Sequence, residues 1–133
     1  MRTTALVVLL VSLMAYAPAR AQEEPSLPGK GLPPVSEQQI LPLVHVCENC
    51  HGPNGAAPAH AGVPVIAGKS AEDILAALEQ FYFYERHCPD VEYRNNDGDK
   101  VIQNMCEIVN GLNRQEALAL GRHFEAQKPA SGK

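Results

Sequence analysis

The sequence Cys47-Glu48-Asn49-Cys50-His51-Gly52 contains two thiols three positions apart and an imidazole directly after the second thiol. Two thiols at this spacing, near the end of a helix, can each add to one vinyl group of a single porphyrin. The adjoining imidazole can then coordinate the porphyrin iron. This spacing is typical of c-type haem attachment. It therefore predicts one covalently bound haem c, attached through Cys47 and Cys50, with His51 as an iron ligand.

Two other chemistries also use closely spaced cysteines. A redox-active dithiol is expected near a βαβ pattern with its first cysteine at a helix start, whereas here the helical pattern precedes Cys47. A tetrahedral zinc site needs four ligands at zinc spacings, and the remaining thiols, Cys88 and Cys106, are scattered. Both alternatives stay open, although each lacks half of its pattern.

The first 21 residues have the pattern of an export signal. Arg2 supplies positive charge, an apolar run follows over 5–17, and Ala19-Arg20-Ala21 has the small-x-small form of a cleavage site. The apolar run is shorter than the roughly 20 residues needed to cross a bilayer. We predict cleavage after Ala21, a periplasmic location and no membrane span in the mature chain. An uncleaved anchor is the alternative.

The mature chain is short and acidic. The whole sequence has 133 residues, which allows one domain. Removal of Arg2 and Arg20 with the signal leaves nine Lys and Arg residues against 15 Asp and Glu residues. A protein that binds a phosphate backbone needs the opposite sign of charge, so nucleic acid is excluded as a partner.

The next segments predict an extended arm and a first helix. Residues 22–35 contain four prolines and two glycines, which favour extended geometry over a packed core. Ser36 with Gln39 forms a capping box, but Pro42 opposes a helix through this region. Either the helix starts at Leu41, with Pro42 in its first turn, or it starts near Ser36 and is kinked at Pro42. Of the two, we expect the start at Leu41.

Two more helices are predicted from their capping residues. One follows Ser70, with Asp73 three residues on, and the last follows Asn113, with Glu116 three residues on. The segments between the helices are rich in Gly, Pro and polar residues, and no strand pattern of useful length is present. The predicted fold class is all-α, with three to four helices and long loops.

The sequence resembles the class I cytochromes c over residues 36–127. Beyond the cysteine stretch, Pro64-Val65-Ile66-Ala67-Gly68 is similar to the family's Pro-x-Leu-Ala-Gly turn. Met105 precedes the last helix much as the family's distal methionine does. The likeness is greatest to the cytochrome domains of flavocytochrome c sulfide dehydrogenase and of diheme-type cytochromes. It implies a small cytochrome c fold around the haem over residues 36–128, with 129–133 as a tail.

The resemblance implies three further site residues. The carbonyl of Pro64 would accept a hydrogen bond from His51, which leaves the imidazole Nε2 for iron. Met105, the only methionine beyond the predicted signal, would be the second axial ligand. Arg86 would approach a haem propionate, although an exposed arginine at a helix end is an equal alternative. The rival axial ligands are His60, His87 and His123.

Two features depart from the family pattern. Cys88 and Cys106 are not part of the common family pattern, and the loop between Arg86 and Met105 is longer than the resemblance implies. Export to an oxidising compartment predicts that the two cysteines form a disulfide. Tyr84 stands at a position where the family often has glycine.

The expected function is electron transfer, not catalysis. Imidazole and thioether ligands together leave no open position on iron, so the metal can only gain or lose one electron. The chain would act as a soluble carrier or as the cytochrome subunit of a redox enzyme. Its acidic surface favours a partner with a basic patch, and the resemblance makes a flavoprotein dehydrogenase the specific expectation. The alternative is a haem enzyme or gas sensor with an open distal site, which requires that Met105 does not bind iron.

Overall fold

The computed structural model describes residues 25–95 and 97–129, and within these ranges it contains four helices and one two-stranded sheet. The predicted signal over 1–21 and most of the predicted tail lie outside the described residues. None of the described helices is long and apolar enough to cross a membrane. In chain order the elements are α1 (Glu37–His51), a short 3-10 turn (Pro53–Gly55), α2 (Ala71–Tyr82), β1 (Val91–Arg94), β2 (Lys100–Gln103), α3 (Met105–Asn110) and α4 (Arg114–Glu125).

Helix α1 begins directly after Ser36, so the prediction of a start at Leu41 is wrong. The backbone N–H and the hydroxyl of Ser36 both donate to Gln39 Oε1, at 2.9 and 2.8 Å. Pro42 lies inside the helix on its exposed face. Ile40, one turn before Val44, is buried with it in the core. The capping box and the burial of Ile40 therefore outweigh the hydrogen bond that Pro42 cannot donate.

The two predicted caps of α2 and α4 are confirmed. Ser70 Oγ accepts a hydrogen bond from the backbone N–H of Asp73 at 3.1 Å. At the start of α4, Asn113 Oδ1 accepts from the N–H of Glu116 at 3.0 Å, and Glu116 Oε2 accepts from the N–H of Asn113 at 2.9 Å. These bonds satisfy backbone donors that a helix start leaves unpaired.

The fold is mostly helical but not all-α, because β1 and β2 form an antiparallel hairpin within the predicted loop. Val91 lies opposite Gln103, and Arg94 lies opposite Lys100. Each strand has only four residues, so its alternation of half-buried and exposed side chains is too short to stand out in the sequence. At the turn, Asn95 Oδ1 accepts hydrogen bonds from two backbone N–H groups at 3.1 and 2.8 Å.

The core lies where α1, α2, α3 and α4 meet. Gly121 allows α4 to approach the start of α2, because a Cβ atom there would lie 2.9 Å from the carbonyl oxygen of Ala71. The least exposed large side chains are Phe124, Leu27, Ile40, Leu120 and Val109. The core cluster also includes Ile74, Leu75 and Leu78 of α2, so it contains residues of all four α-helices and one residue that precedes them.

That residue, Leu27, belongs to the predicted arm. The described part of the arm has no helix or strand and contains one turn, in which the N–H of Leu32 donates to the carbonyl of Gly29 at 3.1 Å. Leu27 is nevertheless only 1% exposed. Its backbone N–H donates to Glu79 Oε1 at 3.4 Å, and the N–H of Arg114 donates to the carbonyl of Pro28 at 2.8 Å. The arm is therefore attached to α2 and to the start of α4.

Candidate functional site

Five of the six predicted site residues line one cavity of about 450 Å³. They are Cys47, His51, Pro64, Arg86 and Met105. Cys50 does not line this cavity but lies directly before His51 and is 8% exposed. The rest of the wall is predominantly apolar and is formed by Ile66, Ile74, Ala76, Ala77, Leu78, Phe81, Ile108, Leu112, Leu120 and Phe124, with Lys69, Asp73 and Gln80 as its polar members.

The last turn of α1 supplies the two thiols and the imidazole. The helix ends at Gly52, whose φ of 77° lies in the left-handed region that favours glycine. A Cβ atom at Gly52 would overlap the backbone of Ala57, so the following loop passes directly against this position. Glu48 Oε1 accepts a hydrogen bond from the N–H of Asn54 at 2.7 Å, which attaches the loop to the same turn.

The imidazole of His51 is buried and oriented. It is 6% exposed, and its Nδ1 lies 2.7 Å from the carbonyl oxygen of Pro64. A carbonyl only accepts hydrogen bonds, so Nδ1 carries the proton and Nε2 keeps its lone pair. Burial lowers the pKa of His51, although the hydrogen bond to Pro64 acts in the opposite direction. The neutral ring with a free Nε2 is the form that binds a metal ion.

The thiols of Cys47 and Cys50 are free, and their surroundings suppress ionisation. Burial raises the pKa of Cys47 to about 12, with a further contribution from the carboxylate of Glu48. Burial also raises the pKa of Cys50. A redox-active dithiol needs a lowered pKa and is commonly found at a helix N-terminus, whereas this pair lies at the C-terminal end of α1. The site therefore does not favour the dithiol alternative.

The zinc alternative loses two of its four sulfur ligands. Cys88 and Cys106 lie at disulfide-bonding distance, with Cα atoms 5.9 Å apart, which confirms the predicted pairing. Sulfurs bonded to each other are not available as thiolates.

Met105 is the first residue of α3, a short helix within a segment that the sequence analysis predicted to be a loop between two helices. The side chain of Asn104 caps this helix by accepting a hydrogen bond from the N–H of Glu107 at 3.0 Å. Met105 is half-buried and packs against the hydrophobic core. The cap explains the difference, because Asn104 ends the preceding strand segment and starts the helix at the next residue.

Of the five histidines, all of which are described, only His51 lines the cavity. His123 Nδ1 lies 3.3 Å from Glu37 Oε1. His87 lines a separate groove beside the disulfide. Among the candidates for the second iron ligand, which are Met105, His60, His87 and His123, only Met105 lines the same cavity as His51.

Two cationic side chains are exposed at the wall of the cavity. The guanidinium of Arg86 lies 5.2 Å from the ring centroid of Phe81, at a cation–π distance. Lys69 is the second cation, and the sequence analysis missed it, although it directly follows the Pro64–Gly68 turn. The small side chains of Ala76 and Ala77 were also missed. Two small residues on a helix whose other cavity-lining apolar residues are large indicate that space is left beside that helix.

The turn after α2 has an unusual backbone conformation at Tyr84. Tyr84 has a φ of 57°, in the left-handed region. Its hydroxyl accepts a hydrogen bond from Asn110 Nδ2 at 2.9 Å, and its backbone N–H donates to the carbonyl of Phe81 at 3.1 Å. These contacts hold the turn and connect it to the end of α3.

The residues present fit an iron porphyrin. A haem needs an apolar wall for its macrocycle, nitrogen or sulfur ligands for iron and cations near its carboxylates. The cavity combines a free Nε2, one thioether, a thiol in its wall with a second one beside it, and two cations. Its volume is within the usual range for cofactor pockets, about 300–1,000 Å³.

No family model, curated protein or solved structure matches this chain. The functional conclusion therefore depends on the chemistry of the site itself.

Proposed function

We propose that this protein is a c-type cytochrome that transfers single electrons through one covalently attached haem c. The observation that carries the proposal is that His51 and Met105, which are far apart in sequence, line the same apolar cavity as Cys47. The imidazole is also oriented by the carbonyl of Pro64. A buried metal-binding nitrogen, a soft sulfur and a thiol pair at haem-attachment spacing are together typical of this class.

The residues of the site have distinct roles in the proposal. Cys47 and Cys50 hold the haem by thioether bonds, and His51 and Met105 bind its iron. When bound, the haem supplies a one-electron redox couple, and thioether ligation raises its potential relative to two imidazoles. Pro64 keeps the proton on Nδ1 of His51, so the ligand cannot change its tautomer.

The cavity wall controls the surroundings of the iron. Apolar side chains such as Leu78 and Phe124 exclude water and lower the local dielectric. Lys69 and Arg86 compensate the negative charge of the haem carboxylates, since both cations belong to the wall.

We further propose a periplasmic location, with the signal cleaved after Ala21, and a redox partner protein. The acidic surface favours a partner that presents a basic patch. The resemblance to the cytochrome subunit of sulfide-oxidising flavoproteins makes a flavoprotein dehydrogenase the first partner to test.

Expression in cells that mature c-type cytochromes tests the haem assignment. The purified protein is expected to keep its Soret band after acid–acetone extraction, because thioether bonds survive this treatment. The double variant C47A/C50A is expected to lose the extraction-resistant band. The matched control C88S/C106S, which removes the other two sulfurs, is expected to keep it. Colourless wild-type protein would contradict the proposal.

Carbon monoxide binding distinguishes electron transfer from an open distal site. The reduced wild-type protein is expected not to bind carbon monoxide, because His51 and Met105 would both bind the iron and leave it no open position. Met105→Ala is expected to bind it readily. Binding by the wild-type protein without denaturant would support the alternative of a haem enzyme or gas sensor.

A further inference from the structure

We propose that Cys88, Asp90, Asn104 and Cys106 are positioning residues that hold Met105 against the cavity. This inference rests on the proposed function, because it assumes that Met105 binds iron. Met105 lies between two residues that are each cross-linked to the segment 88–90. The cross-links are the Cys88–Cys106 disulfide and a hydrogen bond from Asn104 Nδ2 to Asp90 Oδ1 at 2.9 Å.

These two cross-links continue the pairing of the hairpin. Val91 lies opposite Gln103 at the open end of the β1–β2 ladder, and Tyr93 donates from its hydroxyl to Gln103 Oε1 at 3.0 Å. Beyond this pair come the Asp90–Asn104 hydrogen bond and then the disulfide. Residues 88–94 and 100–106 thus form a two-stranded unit, here called the brace. Both residues next to Met105 are cross-linked to its first strand segment.

Helix α3 needs such support because it has only six residues. Helices this short are unstable in isolation, and their ends unfold locally most easily. Towards the end of α3, Val109 is fully buried, but at its start Met105 is only half-buried. Asn104 stabilises the start of α3 in two ways. Its side-chain oxygen caps the helix, and its side-chain amide donates a hydrogen bond to Asp90.

The other side of the brace is attached to α2, which forms part of the same cavity. Arg86, two residues before Cys88, lies over the ring of Phe81 in α2. Cys88 Sγ lies 3.6 Å from the carbonyl oxygen of Arg86. Movement of Met105 out of the cavity would therefore have to displace a segment connected to α2. The brace reduces the population of conformers in which the thioether has left the iron.

Imidazole binding to the ferric protein measures that population, because imidazole replaces Met105 only when the thioether dissociates. The far-red sulfur-to-iron absorption band reports the same event independently. Asn104→Asp keeps the oxygen that caps α3 but removes the amide donor and places a second carboxylate beside Asp90. We expect imidazole to bind this variant about three- to tenfold more tightly. We expect C88S/C106S to bind it at least about tenfold more tightly, with a weaker far-red band.

Two further variants separate the brace from general stability. The swap D90N/N104D restores the hydrogen bond with donor and acceptor exchanged, and its imidazole affinity is expected within about twofold of wild type. Glu92→Gln removes an exposed ion pair with Lys100 at 2.7 Å on the same hairpin and is expected to have no effect beyond about twofold.

Unchanged imidazole affinity and far-red band in both Asn104→Asp and C88S/C106S would overturn the positioning role. If C88S/C106S does not fold, Asn104→Asp and its swap decide the question. Failure of the proposed function is recognised differently. In that case the wild-type protein itself would lack the far-red band, either because it is colourless or because its reduced haem binds carbon monoxide without denaturant.

Discussion

Replacement of Leu27 by alanine tests whether the proline-rich arm is part of the folded domain. Leu27 is 1% exposed and belongs to the core cluster, although its segment has the composition of a linker. Backbone bonds to Glu79 and Arg114 hold the arm at this point. If the arm is a structural element, removal of this side chain must lower the free energy of unfolding.

The expected loss follows from burial. Leu27→Ala removes three methylene-sized groups from a fully buried site, and at about 0.8 kcal/mol each this transfer amounts to about 2.4 kcal/mol. The remaining cavity adds to this cost, as in other buried Leu→Ala changes, which range from about 2.7 to 5.0 kcal/mol. We therefore expect a loss of about 3–4 kcal/mol.

Urea unfolding followed by far-ultraviolet circular dichroism measures this loss. For a chain of this size the dependence of the unfolding free energy on urea is about 1.5 kcal/mol per molar, so the midpoint should fall by about 2–3 M. Leu32→Ala is the matched control, because Leu32 lies in the same arm and is 49% exposed. Its loss is expected below about 0.5 kcal/mol. Equal midpoints for the two variants would refute the structural role of the arm.

Three further stability measurements test other parts of the fold. Gly55→Ala is expected to lower the free energy of unfolding by at least about 1 kcal/mol more than Gly62→Ala does. Both glycines have a positive φ, but only at Gly55 would a Cβ lie within 3 Å of other side chains. Equal melting temperatures for the two variants would contradict this. Ser70→Ala is expected to lower the unfolding free energy by about 1 kcal/mol through loss of its cap, and an unchanged urea midpoint would show that the cap is dispensable. Glu79→Gln is expected to lower the free energy of unfolding by about 1 kcal/mol, because it removes a partly exposed ion pair with Arg114. This loss should become smaller in 1 M salt, and a loss that does not depend on salt would show that packing causes it instead.

Local features of the fold were predictable from the sequence. The caps at Ser70 and Asn113 depend on residues three positions apart, and the structure confirms both. The cap at Ser36 is also recognisable in the sequence. Pro42 favours a later helix start, but the burial of Ile40 stabilises the first turn and α1 begins directly after Ser36. Burial of that kind depends on packing, which local sequence does not show.

The hairpin and the burial of Leu27 were not predictable from local patterns. Each strand is four residues long, and its pairing is supported by the Asp90–Asn104 hydrogen bond and by the disulfide. The composition of the arm favours extended geometry, and its described part has neither helix nor strand, although it turns at residues 29–32. Composition does not indicate that one leucine of such a segment enters the core.

The candidate site also has one part that the sequence predicts and another that only the tertiary structure shows. Cys47, Cys50 and His51 lie within one helical turn, so their proximity follows from the sequence alone. Only the tertiary structure brings Pro64 to Nδ1 of His51 and places Met105 in the same cavity, because these contacts join segments that pack together only in the folded chain. Neighbours along a helix are determined by its fixed geometry, whereas distant partners are determined by the packing of the whole core.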